Sequence, residues 1–294
     1  MKETGKQLVV AIIVVPIIII GVVFLLRRTP EPVYTVPRHI EYSFTIQNKT
    51  NHVVKGACFR TYAPVKQTSS QLCQKVESSY PFELIPDVCG NQVLQFSFAE
   101  FPPFSKKIIS IRADLLLAEV PNRSSLDNEG AYLISEQYIE SDNTEIIKKA
   151  RELKTSVVKQ TAKGIFDWVA GHIEYTGYIE NERGALYAYT EKRGDCTEYM
   201  YLFAALCRAD EIPARCVGGY ICSENTILRP SGYHNWAEIY EDGAWKIADV
   251  QNRIYQINYE DYIAMRMISG ASNNPIMSFS RFRLDGEGLK VQMN

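Results

Sequence analysis

The part of the chain that leaves the fewest options open is residues 193–250: RGDCTEYMYLFAALCRADEIPARCVGGY, a polar insert, then HNWAEIYEDGAWKIADV. Met200, Phe203, Ala204 and Cys207 recur at helical spacing and predict a buried helix over 197–210, ended by Ile212-Pro213. Residues 214–221 read as a buried strand in which Gly218-Gly219 lets another backbone come close. Residues 234–240 alternate like a strand, Asp242-Gly243 makes a tight turn, and 244–250 run back. That order leaves Cys196 at a helix start, His234 at a strand start and Asp249 at the end of the returning strand.

Each position suits a chemical role. A thiol is only slightly ionised at neutral pH, and a helix N-terminus favours its anion because unpaired N–H groups and aligned dipoles point at it. Gly194 supplies a flexible turn just before Cys196, and the same N–H groups could hold an oxyanion. His234 and Asp249 are 15 residues apart (249 − 234), about two strands and a turn. The ends therefore meet, and opposed cross-strand positions lie about 4.5–5.5 Å apart. Asp249 can then hold one imidazole nitrogen while the other faces Cys196, the division of labour of a nucleophile–base–orienter triad. Trp236 shares the strand face of His234, either as a substrate-binding residue of the cleft or as core. Taken singly, the three polar residues have ordinary readings: a buried helix-start cysteine and two surface groups. Arg193-Gly194-Asp195 spells an adhesion tripeptide, which a helix start explains better.

The remaining chain divides around this stretch. After a short tail (1–7), residues 8–26 are almost unbroken aliphatics spanning about 29 Å as a helix, enough to cross a bilayer. Arg27 and Arg28 come next with no small-residue cleavage site, so a membrane helix is expected rather than a cleaved signal. Charges flanking the span slightly oppose export of the C-terminal part. The odd cysteine count points the other way, since six could pair outside the cell and leave Cys196 free, although seven reduced thiols remain an alternative. Two sequons, at Asn48 and Asn122, also point outward. The expectation is a single-pass membrane protein with its globular part outside the cytoplasm.

Residues 27–38 are a Pro-rich linker. Residues 39–120 turn to period-two patterning, with strands expected over 40–46, 53–62, 92–98 and 107–113, a β-sandwich-like domain serving as spacer or recognition module. A polar linker (121–140) leads into a catalytic domain (141–294) with helices over 144–153, 156–173 and 184–189 and a hairpin from 276–283 and 289–293. His172, alone on its helix, reads as a packed or surface residue. Net charge is −2, with 32 basic and 34 acidic residues and no basic run in the globular part, which excludes a nucleic-acid footprint. Zinc-ligand spacing and EF-hand loops are absent from the sequence, and no cofactor is implied.

Beyond the triad letters, the stretch carries Gly-Asp-Cys-Thr before an apolar helix, Ile-Pro-Ala-Arg before a Gly-Gly-Tyr strand, His-Asn-Trp-Ala-Glu, and Gly-Ala-Trp ending in Ala-Asp. In this order it resembles the core of the transglutaminase-like superfamily, over residues 141–258 once the helical lead-in and Ile173-Glu174-Tyr175 are included. The resemblance implies an α+β, papain-like fold with Cys196 as nucleophile, His234 as base and Asp249 as orienter. It also implies thioester chemistry on a protein or peptide substrate, the acyl group passing to water (protease or amidase) or to an amine (crosslinking). Hydrolysis is the preferred expectation. The competing expectation from another class is a catalytically silent, membrane-anchored peptide-binding scaffold.

Overall fold

In β1 (Val36–Asn48) the alternation is strict: Ile40, Tyr42, Phe44 and Ile46 turn inward and the residues between them stay partly solvated. This computed structural model describes residues 31–294 except 88, 179–180 and 269–278. The tail and the apolar run at 8–26 lie outside the described residues; among those described, no helix is long and apolar enough to cross a membrane. Residues Val33–Asn294 form one compact unit.

The first strands after β1 are β2 (Val54–Ala63), β3 (Gln71–Ser78), β4 (Glu83–Pro86), β5 (Gln92–Phe101) and β6 (Lys106–Leu117). β6 lies antiparallel between β1 and β3, while β5 lies between β2 and β4. The two sheets face each other across one apolar cluster, with Phe44 and Phe59 ring centroids 4.9 Å apart. At about 1.5–3 kcal/mol per fully buried large side chain, this aromatic layer is a main source of stability.

The chain end does not form the hairpin the sequence suggested. β15 (Phe282–Asp285) pairs with β2, and β16 (Leu289–Met293) pairs with β1, so the turn between them crosses from one sheet to the other. Each strand covers an edge that would otherwise present unpaired N–H and C=O groups, and Met293 enters the sandwich core.

Among the described residues, four α-helices come after the sandwich: α1 (Thr144–Leu153), α2 (Val158–His172), α3 (Gly184–Glu191) and α4 (Cys196–Ala209). Asn143 caps α1 by accepting a hydrogen bond from the Glu145 amide. Between them, two-residue strands β7 (Glu174–Tyr175) and β8 (Arg193–Gly194) pair in parallel and tie the approach to α4. After α4 come β9 (Ala214–Ile221), β10 (Thr226–Ile227), β11 (Tyr233–Glu241), β12 (Ala244–Asp249), β13 (Ile254–Tyr255) and β14 (Tyr262–Ile268). β10 joins β1, and the others form a sheet in the order β13-β12-β11-β9-β14. Helices α1–α4 pack on one face of it through Ala214, Cys216, Ala237 and Ile239; Val217, Trp236 and Ile247 line the other.

The Gly-Gly pair of β9 has the use expected of it. A Cβ on Gly219 would lie 2.0 Å from the Ile263 carbonyl oxygen, so β14 can seat against β9 only because that side chain is missing. All seven cysteines are free thiols, with Cys207 and Cys216 fully buried, which is the second of the two alternatives the odd count left open. Both sequons are consumed by the fold: buried Asn48 donates to the His52, Phe101 and Pro102 carbonyls, and Asn122 exchanges hydrogen bonds with the Val33 backbone.

Candidate active site

The helix start that carries Cys196 is fixed by a reciprocal cap. Asp195 Oδ1 accepts the Thr197 amide at 2.8 Å, and Glu198 Oε2 accepts the Asp195 amide at 3.0 Å. Glu198 is fully buried and also accepts the Arg183 amide; burial raises its pKa. Gly194 serves this cap through lack of volume rather than turn flexibility, because its Cβ would lie 2.4 Å from that of Glu198. Asp195 is 4% exposed and committed to the cap, which takes the acidic residue of the adhesion tripeptide off the surface.

His234 and Asp249 meet as the sequence arithmetic suggested, with one difference. The tight turn pairs Glu241 with Ala244 and Ala237 with Ala248, so continuing the register sets Asp249 opposite Trp236. Asp249 is therefore diagonal to His234, not directly opposed, and the imidazole closes the gap: His234 Nε2 lies 2.8 Å from Asp249 Oδ2. That contact leaves Nδ1 for the Cys196 sulfur.

The Asp249 carboxylate is completely buried and surrounded by donors. Tyr262 Oη donates to Oδ2 at 2.8 Å, Asn252 Nδ2 donates to Oδ2 at 2.9 Å, and the Asn252 amide donates to Oδ1 at 3.2 Å. Burial and the neighbouring Asp249 charge raise the Tyr262 pKa, keeping the hydroxyl a donor. Burial also works to lower the His234 pKa, but the Asp249 and Cys196 hydrogen bonds outweigh it and raise it to about 9. His234 thus holds its second proton through neutral pH.

Neither Asn252 nor Tyr262 was marked by the sequence, since each comes from an element beyond the hairpin. Asn235 was overlooked beside its conspicuous neighbours. Its Nδ2 donates to Thr197 Oγ1 at 2.9 Å and lies 3.7 Å from Cys196 Sγ. Trp236, expected as a possible cleft residue, is 1% exposed and packs edge-on against Tyr262 with centroids 5.1 Å apart. A side chain so enclosed cannot touch substrate; it supports the Asp249–Tyr262 contact from within the core. His172 stacks on Trp168 on the surface of α2, away from the cleft.

Cys196, His234 and Asn235 open into a cleft of about 720 Å³. Tyr175, Tyr178 and Glu182 line it along with Arg266 and Arg281. The arrangement sets a thiol at a helix start beside an imidazole held by a buried carboxylate, at the mouth of a cleft.

The family model of the transglutaminase-like superfamily matches residues 145–250. The chain carries a transglutaminase-like superfamily domain. The match includes Cys196, His234 and Asp249 and omits Tyr262, Arg266 and the sandwich. A crystal structure of a candidate cysteine protease from Cytophaga hutchinsonii is similar over 89% of this chain and 91% of that one, with 20% identity and a TM-score of 0.63. This likeness covers the sandwich as well as the transglutaminase-like core, and at that identity it speaks to fold. The periplasmic domain of TgpA from Pseudomonas aeruginosa matches 72% of this chain and 88% of that one, at 13% identity and a TM-score of 0.39. No curated protein matches this sequence.

Proposed function

We propose that this protein is a cysteine-dependent acyl-transfer enzyme that cleaves peptide or carboxamide bonds through a thioester on Cys196. The observation that carries the reading is His234 clamped 2.8 Å from a buried Asp249, with its pKa raised to about 9 beside the sulfur. An imidazolium next to a sulfur at a helix N-terminus favours the thiolate, which is the nucleophile.

In the first step the sulfur attacks the carbonyl carbon, a C–S bond forms, and the carbonyl π pair moves to oxygen. The cap uses the Thr197 and Glu198 amides, which leaves the Cys196 amide to receive that oxyanion. As the tetrahedral species collapses, the C–N bond breaks and His234 Nδ1 gives its proton to the leaving amine. Neutral His234 then takes a proton from water as the water oxygen attacks the thioester carbonyl; the C–S bond breaks and the thiolate–imidazolium pair is restored. Asp249 stays ionised and holds the ring throughout. Hydrolysis is preferred over transfer to an amine because amine transfer requires water to be kept off the thioester, and this cleft is broad, with Glu182, Asn252, Arg266 and Arg281 in its lining. Attachment to a membrane is proposed on the aliphatic run at 8–26, with the globular part outside the cytoplasm; protease accessibility of that part in intact cells tests the orientation.

The test is thiol reactivity followed by product analysis. Cys196 is expected to react with iodoacetamide at pH 6 far faster than free cysteine, and Cys196→Ala to abolish product formation. A rate equal to free cysteine, with no product formed by the wild type and peptide binding unchanged in Cys196→Ala, overturns the enzyme reading in favour of a peptide-binding scaffold. Mass spectrometry of products with and without a primary amine separates the two acyl acceptors, and incorporation outpacing hydrolysis would reverse the preference.

A further inference from the structure

The catalytic sheet places one residue from each of three strands in a row leading away from Cys196. Asn235 on β11 pairs with Gly218 on β9, and Gly218 pairs with Arg266 on β14, across a bulge between Ala264 and Arg266. Paired residues share a sheet face, so Asn235, beside the Cys196 sulfur, and Arg266 project the same way with a glycine between them. The Tyr233 hydroxyl lies over Gly218, where an ideal Cβ would be 2.2 Å from Tyr233 Oη and 2.9 Å from Asn235 Oδ1, so Tyr233 floors the row between Asn235 and Arg266. The row is about 10 Å long between its outer Cα atoms, the span of about three extended residues.

A second guanidinium joins the far end. Arg281 lies over the Tyr233 ring at 5.1 Å and donates to the Pro230 carbonyl at 3.0 Å. Arg266 donates to the Ser280 carbonyl at 3.4 Å. Both line the cleft that holds Cys196, and both are partly rather than fully solvated. Among the described residues neither forms an ion pair. The two described carboxylates lining the cleft are committed elsewhere: Glu182 accepts the Tyr201 hydroxyl at 2.8 Å and Asp195 caps α4. Two guanidinium groups kept from protein carboxylates, each giving one N–H to a backbone carbonyl, have further donors to offer, which is the chemistry for binding a carboxylate.

Building on the acyl-transfer reading, we propose that Arg266 and Arg281 form a carboxylate-binding subsite, and that the enzyme selects peptides with a carboxylate two or three residues from the scissile bond. The carboxylate is either a free peptide C-terminus or an Asp or Glu side chain. Its place beyond Gly218 sets the spacing, and the Arg pair is a specificity determinant that leaves the thiol chemistry to Cys196 and His234.

The probes are bromoacetyl peptides, which alkylate a thiol with loss of bromide. One series carries one to three glycines ending in a free carboxylate or a carboxamide; a second ends in Glu-amide or Gln-amide. A hydrogen-bonded ionic contact of this kind is worth about 1.5–3 kcal/mol, or roughly 10–100-fold. The acid form is expected to alkylate Cys196 at least about ten-fold faster at one preferred length. The ratio should fall towards one in Arg266→Gln/Arg281→Gln and shrink with added salt. Preference in the first series identifies a C-terminal carboxylate, and in the second an acidic side chain. An acid-to-amide ratio equal in the wild type and the double variant overturns the subsite. Iodoacetamide reactivity of the same proteins controls for folding and for the thiol, so a fast reaction with no acid preference sinks only this inference. Equilibrium binding of unreactive acetyl peptides to Cys196→Ala, with and without the Arg changes, reads the subsite even if the sulfur is inert.

Discussion

Asp249→Asn tests the electrostatics of the site with almost no change in shape. In the wild type burial works against the imidazolium, and the Asp249 and Cys196 contacts push the His234 pKa from an ordinary 6.5 up to about 9. At 1.36 kcal/mol per unit this is about 3 kcal/mol favouring the imidazolium. Burial opposes that charge, and the Asp249 hydrogen bond is the foremost of the contributions that overcome it, ahead of Cys196. Asparagine offers one acceptor where the carboxylate now serves His234, Asn252 and Tyr262, and it removes the negative charge. The His234 midpoint should therefore drop by at least about one unit, with the Cys196→Ala protein reporting the sulfur's share. With only four histidines in the chain, imidazole NMR signals can be followed singly, and His234 is assigned by its loss in His234→Gln. The stability consequence has a definite sign. The folded-state pKa is raised, so the contribution is complete below about pH 6.5 and is lost as pH rises through 9. Unfolding free energy should fall over that window by up to about 3 kcal/mol in the wild type and by distinctly less in Asp249→Asn. A wild-type midpoint at or below 6.5, or one that the substitution does not move, would refute the clamp as the source of the imidazolium.

Three further changes probe the supports of the site. Tyr262→Phe removes one donor from a buried carboxylate and should cost about 1–3 kcal/mol in urea unfolding; an unchanged midpoint would mean the hydroxyl is dispensable to Asp249. Gly219→Ala forces a methyl onto the Ile263 carbonyl and should destabilise by about 1–3 kcal/mol or more, with the loss visible as early hydrogen exchange in β14; native-like protection there would contradict the packing. Arg208→Met leaves Glu136 buried without the guanidinium 2.8 Å away and should cost about 3–5 kcal/mol, partly restored by adding Glu136→Gln; additive losses in the double variant would argue against coupling.

How far the sequence could be read depends on where each signal sits. α1 was legible because Asn143 caps it and an apolar stripe runs along it, both local features. The strands of β1, β2, β5 and β6 were legible because one face is wet. β14 went unmarked for the opposite reason: Tyr262 to Met265 are buried without alternation, so no period betrays a strand. The diagonal placement of Asp249 was available in principle. A two-residue turn at Asp242-Gly243 pairs Glu241 with Ala244, and counting back puts Asp249 opposite Trp236, not His234. Tyr262 and Arg266 had no such local sign, because their roles arise only when β14 seats against β9; Asn252 bonds Asp249 from the turn three residues on, a local contact that no motif marked. Trp236 had two readings at the sequence level, and only its neighbours decide for the core.

The sandwich is then more than a spacer. β14 is the outer strand of the catalytic sheet, with backbone groups that would otherwise face outward unpaired. Two side-chain amides from the sandwich act as a substitute strand. Gln71 donates to the Ala264 carbonyl and accepts the Ala264 amide, and Asn91 does the same for Met267, while the Val65 amide also reaches the Ala264 carbonyl at 2.8 Å. Ile263 and Met265 continue into the sandwich core. The strand held this way delivers Tyr262 to Asp249 at one end and Arg266 to the cleft at the other. A transglutaminase-like core cut away from residues 33–120 would keep Cys196, His234 and Asp249 in its sequence. It would lose the clamp on β14, and with it the donor that steadies Asp249 and the cation that lines the cleft.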